Sequence, residues 1–167
     1  NQHGLFDLAG TLAGIAAIRA AGAAPMVRVP LGDFAAVSRV LDFGAEGVIA
    51  PMINTVEDAR AFAAAAKFPP VGERSWGPAR ALMLNGLSMP DYLKRANKET
   101  VTFAMIETRT ALSNLDAILA TPGIDGVFIG PSDLSITLSK GKQLDPFGKE
   151  VDEVIVKVAA AAKKAGK

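Results

Sequence analysis

The sequence contains no cysteine. That excludes disulfides, thiolate metal sites and a cysteine nucleophile, and it leaves the compartment open. Charge imbalance is lacking too: 18 basic and 17 acidic side chains give a net charge of +1. The basic residues are scattered, so nothing points to nucleic acid or to an anionic membrane as partner. No apolar run is long enough to span a bilayer, and no signal peptide is visible. The stretch 8–24 is apolar and rich in Ala and Gly, but Thr11 and Arg19 interrupt it. A buried helix accounts for it. Internal repeats, low-complexity tracts and domain linkers are missing as well. A cytoplasmic protein is the default expectation.

What remains is a globular composition, 50% hydrophobic and 21% charged. A chain of 167 residues is enough for one domain with its own core. It opens on Asn1-Gln2-His3-Gly4, without an initiator Met, and stops where a helix finishes. Both ends predict a segment of a longer chain.

Strand-like and helix-like stretches alternate. Helices are predicted over 9–21, 33–43, 55–67, 90–97, 110–119, 132–138 and 149–165. Thr55 is a good N-cap, with Asp58 three residues on. Short apolar strands are predicted over 25–29, 47–52, 101–106 and 126–129. Residues 68–78 carry Pro69, Pro70, Gly72, Gly77 and Pro78 and read as a long loop. Near-continuous apolar strands separated by helices belong to a parallel sheet covered by helices. Two architectures fit: a doubly wound sheet, or a (β/α)8 barrel with about half its strands outside this chain.

In both architectures function gathers at the carboxyl ends of the strands. Arg28, Met52, Asn54, Thr55 and Glu107 stand there, as does the turn Gly130-Pro131-Ser132-Asp133. Glu107 and Asp133 lie one βα unit apart, so their strands can be neighbours. Two carboxylates on one rim suit a hard divalent cation. The alternative is that each simply caps or charges the helix that follows it. Arg28 leaves an apolar strand and needs a carboxylate partner or a bound anion. A salt bridge in the mouth of the fold would also satisfy it. The Gly130–Ser132 turn offers backbone N–H groups to a substrate carboxylate, though such turns are common. His3, the one histidine, is a candidate general base, or else a solvated side chain near a chain end. The segment 72–77 reads as a lid, an interface loop or a packed surface loop fixed by Trp76.

Several stretches, in order along the chain, resemble one family. They are Val27-Arg28-Val29-Pro30, Leu41-Asp42-Phe43-Gly44-Ala45, Ala50-Pro51-Met52-Ile53-Asn54-Thr55, Pro69-Pro70-Val71-Gly72-Glu73-Arg74, Ile106-Glu107-Thr108-Arg109-Thr110-Ala111-Leu112 and GIDGVFIGPSDLS, which begins at Gly123. They are similar to the HpcH/HpaI aldolases, the class II, metal-dependent group that includes 4-hydroxy-2-oxoheptanedioate and 2-dehydro-3-deoxyglucarate aldolases. The resemblance implies an α/β fold, a TIM (β/α)8 barrel of which this chain holds about the central four strands as one partial domain over 1–167. It implies a divalent metal (Mg²⁺, Mn²⁺ or Co²⁺), held by Glu107 and Asp133. It implies a homohexamer acting on a small 2-oxo acid and an aldehyde. Arg28 matches the arginine that contacts the pyruvyl oxygen. Gln2-His3 matches the end of an acidic motif whose histidine serves acid–base chemistry. Asp42 matches an aspartate associated with that histidine near a subunit interface. Gly130, Ser132 and Asp133 match the segment that holds the substrate carboxylate, Ser132 through its backbone.

The pattern is departed from at Met105, where members close to the heptanedioate aldolase carry Gln two residues before the metal-binding glutamate. The implied reaction is reversible retro-aldol cleavage of 4-hydroxy-2-oxo acids, with no lysine Schiff base. Acyl-CoA lyases of the citrate lyase β or malyl-CoA lyase type share the barrel and the carboxylates and are the second reading. A non-catalytic barrel fragment is the third. The PPxGER loop favours the simple aldolases.

Overall fold

The computed structural model describes residues 2–167. Its elements follow in the order α1 (Leu8–Ala20), β1 (Met26–Arg28), α2 (Phe34–Asp42), β2 (Gly47–Ala50), α3 (Val56–Ala66), α4 (Ala79–Asn85), α5 (Met89–Glu99), β3 (Val101–Ile106), α6 (Arg109–Ser113), α7 (Leu115–Leu119), β4 (Gly126–Ile129), α8 (Pro131–Leu138) and α9 (Lys149–Lys164). The strands form one parallel sheet in the order β1-β2-β3-β4. Parallel neighbours cannot be joined by a hairpin, and a helical crossover links every pair here. Sequential order of this kind makes an arc of a (β/α)8 barrel. A doubly wound sheet would reverse direction at a switch point.

Helix starts follow local chemistry. Asp33 Oδ1 accepts from the Ala36 N–H at 3.0 Å. Thr55 accepts from the Asp58 N–H at 3.1 Å, and Asp58 accepts in return from the Thr55 N–H at 2.9 Å. This is the reciprocal cap expected from the spacing of the two residues.

Side chains on the strands alternate between two faces. Val27, Val48, Ala104 and Ile106 face the helices and pack in the main core with Val40 of α2 and Phe62 of α3. Met26, Ile49, Phe103, Met105 and Phe128 occupy the other face, which corresponds to a barrel interior. Large and absent side chains meet across this face. Phe103 pairs with Gly126, where an added Cβ would stand 2.7 Å from the Phe103 ring.

Two elements differ from expectation. Helix α4 was not foreseen: its N-cap, Pro78, makes no side-chain capping bond, and the helix follows a loop dense in Gly and Pro. The helix expected over 110–119 is two short helices that break at Asn114. The Asn114 side chain is drawn away to donate to the Asn54 carbonyl at 2.9 Å.

The amino ends of the strands are tied by Lys67, which is 1% exposed. Its Nζ donates to the carbonyls of Asn97 (3.0 Å) and Thr100 (2.5 Å) and to Asp125 Oδ2 (2.7 Å). Three acceptors satisfy the three donors of an ammonium. Removing the cation strands those acceptors; Asp125 is 40% exposed and can hydrate, so the loss falls mainly on the two carbonyls and is about 2 kcal/mol. Lys67→Met is expected to lower unfolding free energy by that amount in urea titrations. A loss below about 1 kcal/mol would contradict this account.

Candidate metal and substrate site

The carboxyl ends of the strands carry the polar residues. Arg28 closes β1, Glu107 follows β3, and Gly130 follows β4. Glu107 is 2% exposed. Its Oε2 accepts from the Met52 backbone N–H at 2.8 Å. Met52 adopts φ 55, a left-handed conformation that is uncommon for a side chain of its kind. That backbone turn, just beyond β2, aims the amide at the carboxylate. Strain of this sort persists where the surroundings enforce it. Here Asn54 is the brace: Thr108 Oγ1 donates to its side-chain oxygen, and Asn114 holds its carbonyl.

Gly130 lies against the other side of Glu107. A Cβ there would stand 2.8 Å from Glu107 Cγ and 2.9 Å from Cδ, so no side chain fits. Thr108 caps α6 by accepting from the Ala111 N–H at 3.0 Å. Glu107 is therefore not a helix cap. Asp133 stands in the first turn of α8 without a side-chain capping bond, where a carboxylate also suits the helix dipole.

Burial pushes the Glu107 carboxyl above its ordinary value of 4.5. The Met52 amide opposes this, the neighbouring Asp133 charge adds to it, and the Arg28 guanidinium opposes it. The structure thus brings Arg28, Glu107, Gly130 and Asp133 into one electrostatic neighbourhood. Two carboxylates with a single nearby arginine make an all-oxygen donor set that a divalent cation would neutralise. No group of three or more His, Asp or Glu side chains is placed to hold a metal ion among the described residues. Such a cation would complete its shell with water and substrate oxygens, as Mg²⁺ commonly does.

Of the remaining candidates, one adjoins these residues and two stand on other elements. Ser132 is exposed at the start of α8. Its N–H lies in the first turn, which no helical carbonyl can serve. His3 is exposed in a turn ahead of α1. Asp42 ends α2 and pairs with Arg74 at 2.6 Å. Neither the Met52 amide nor the Arg74 partnership is marked in the sequence. A left-handed methionine has no compositional signal, and an arginine in a Gly- and Pro-rich loop reads as exposed.

The HpcH/HpaI aldolase/citrate lyase profile matches residues 4–167. The chain belongs to that family. Hydroxypyruvate/pyruvate aldolase from Rhizorhabdus wittichii is 42% identical over 166 residues, which cover 99% of this chain and 65% of that protein. A 4-hydroxy-2-oxovalerate aldolase from Novosphingobium aromaticivorans is 39% identical over 99% of this chain and 63% of its own length. The crystal structure of an HpcH/HpaI aldolase from Desulfitobacterium hafniense superposes with a TM-score of 0.88 at 33% identity, covering 99% of this chain and 63% of that one. The chain thus spans somewhat less than two thirds of these relatives. The superposition bears out the barrel reading of the four-stranded arc. Among the described residues no helix is long and apolar enough to cross a membrane.

A carboxyl raised by burial carries a signed consequence. In the unfolded chain Glu107 ionises near its ordinary value, whereas in the fold it ionises later. The fold is therefore favoured below that value and loses this contribution as pH rises through the folded one. Glu107→Gln keeps an acceptor for the Met52 amide and removes the charge. In EDTA, the variant is expected to melt higher than the unsubstituted protein at pH 7, with the gap closing toward pH 4. Equal melting curves at both pH values would refute the burial account.

Proposed function

We propose that the protein is a divalent-metal-dependent aldolase that reversibly cleaves 4-hydroxy-2-oxo acids to a pyruvate-type oxo acid and an aldehyde. The observation that supports this most is the buried Glu107 carboxylate beside Asp133, faced by Arg28 at the carboxyl ends of three parallel strands. Relatives named as aldolases for hydroxypyruvate, 4-hydroxy-2-oxovalerate and 2-keto-3-deoxy-L-rhamnonate support the substrate class.

Glu107 and Asp133 would hold the cation, which is Mg²⁺, Mn²⁺ or Co²⁺. When bound, it supplies Lewis-acid polarisation of the substrate's 2-oxo group. The N–H groups at the start of α8, Ser132 among them, receive the substrate carboxylate. His3 accepts the proton of the C4 hydroxyl, with Asp42 as its orienting partner at an interface between copies of the chain. The C3–C4 bond then breaks. Its electron pair passes toward the 2-oxo oxygen, giving an enolate, and C4 departs as the aldehyde. Arg28 stabilises the negative charge that develops on that oxygen. A proton delivered to C3 completes the pyruvate-type product. The assembly is a homo-oligomer, a hexamer in this reading.

A Schiff-base route finds little support. Lys67, which is buried, sits at the amino ends of the strands, away from the rim, with its Nζ paired to Asp125 at 2.7 Å. Borohydride added with pyruvate should leave the intact protein unlabelled, and a stable covalent adduct would overturn the metal reading. The direct test is pyruvate release from 4-hydroxy-2-oxo acids after EDTA and again with Mg²⁺, Mn²⁺ or Co²⁺. Metal should restore turnover. Glu107→Gln should lose more than the roughly 10–100-fold typical of outer-shell partners. Turnover unaffected by EDTA would sink the proposal, and cleavage confined to acyl-CoA thioesters would transfer the protein to the lyase branch.

A further inference from the structure

Asp42 is the last residue of α2, where the negative end of the helix dipole disfavours a carboxylate. Arg74 compensates it, with Nη2 at 2.6 Å from Oδ1. The Arg74 side chain is fully buried, while the Asp42 side chain is 24% exposed. Arg74 stacks on the Phe68 ring at 4.6 Å. Its Nε and Nη1 are buried with no hydrogen-bond partner. A guanidinium has five donors, so leaving most of them unused in a dry site is costly. Gly77 closes the other side: a Cβ there would meet Asp42 Oδ2 at 2.9 Å. The loop from Gly72 to Gly77 is therefore built around one orientation of one carboxylate, and an apolar side chain would fill the Arg74 position at lower cost.

We propose that Arg74 is a positioning residue for the reaction and acts through Asp42. By gripping Oδ1, it fixes the carboxylate plane and so sets the direction in which the partly exposed Asp42 side chain can meet an acid–base partner. This rests on the assignment of Asp42 and His3 as that pair. Arg74 is fully buried behind Asp42, so its loss should slow the chemical step and leave substrate binding in place.

The test is a double-mutant cycle in the intact protein, with kcat and KM measured for retro-aldol cleavage at saturating Mg²⁺. Arg74→Met should lower kcat about tenfold or more and leave KM within about twofold. Arg74→Lys, which keeps the charge, should regain part of the loss. In the Asp42→Asn background, Arg74→Met should cost nothing further, because the two act as one unit. Losses that add across the cycle would overturn the proposal, as would an Arg74→Met kcat equal to the unsubstituted value. If the methionine variant does not fold by circular dichroism, the same cycle with Arg74→Lys decides. An Asp42→Asn variant with full kcat, beside an inactive Glu107→Gln, would remove Asp42 from the chemistry and this proposal with it, while leaving the metal reading intact.

Discussion

Glu107 leaves β3 with its carboxylate out of water, and a charge so placed needs compensation from every side. The left-handed turn at Met52 supplies an amide. The bare Cα of Gly130 supplies room, and Arg28 supplies opposing charge. Asn54 and Thr108 then hold the Met52 turn in place. Each of these features makes little sense alone, and each follows once that carboxylate must stay buried and available. The sheet serves the same end, because a parallel arc delivers the ends of β1, β3 and β4 to one rim.

The two faces of the strands divide the labour. One face packs Val and Ala against helices and fixes the strands in register. The other carries Met26, Phe103 and Phe128 below the rim, an apolar face on which Met26 and Phe128 stay exposed among the described residues. Met105 belongs to that face. It pairs in register with Phe128, two residues before Glu107 and on the same face of β3.

Much of this was legible from the residues. The strands Val101–Ile106 and Gly126–Ile129 are spelled out by short apolar runs, broken only by Thr102, between turn signals. Thr55 and Asp58 announce a helix start through their spacing. Glu107, Asp133 and Arg28 could be placed on one rim because strand ends are countable. Three things were not legible. Helix α4 lacks a cap signal. The break at Asn114 depends on a partner 60 positions away. The burial of Arg74 depends on Phe68 and Asp42 closing around it. Local chemistry shows in a sequence, whereas a contact between distant segments shows only after folding.

Lys67 gives that distinction a temporal side. Its acceptors lie 30, 33 and 58 residues further along the chain. During synthesis the end of α3 therefore emerges with a cation whose destined surroundings do not yet exist. Until Asp125 has been made, Lys67 lacks its carboxylate partner, and the tie from α3 to the start of β4 cannot form. The floor of the fold is thus a late event by construction, gated by the arrival of β4. The same strand carries Gly130 and Asp133 to the rim just beyond it, so tying the base and assembling the site await one and the same stretch of polypeptide.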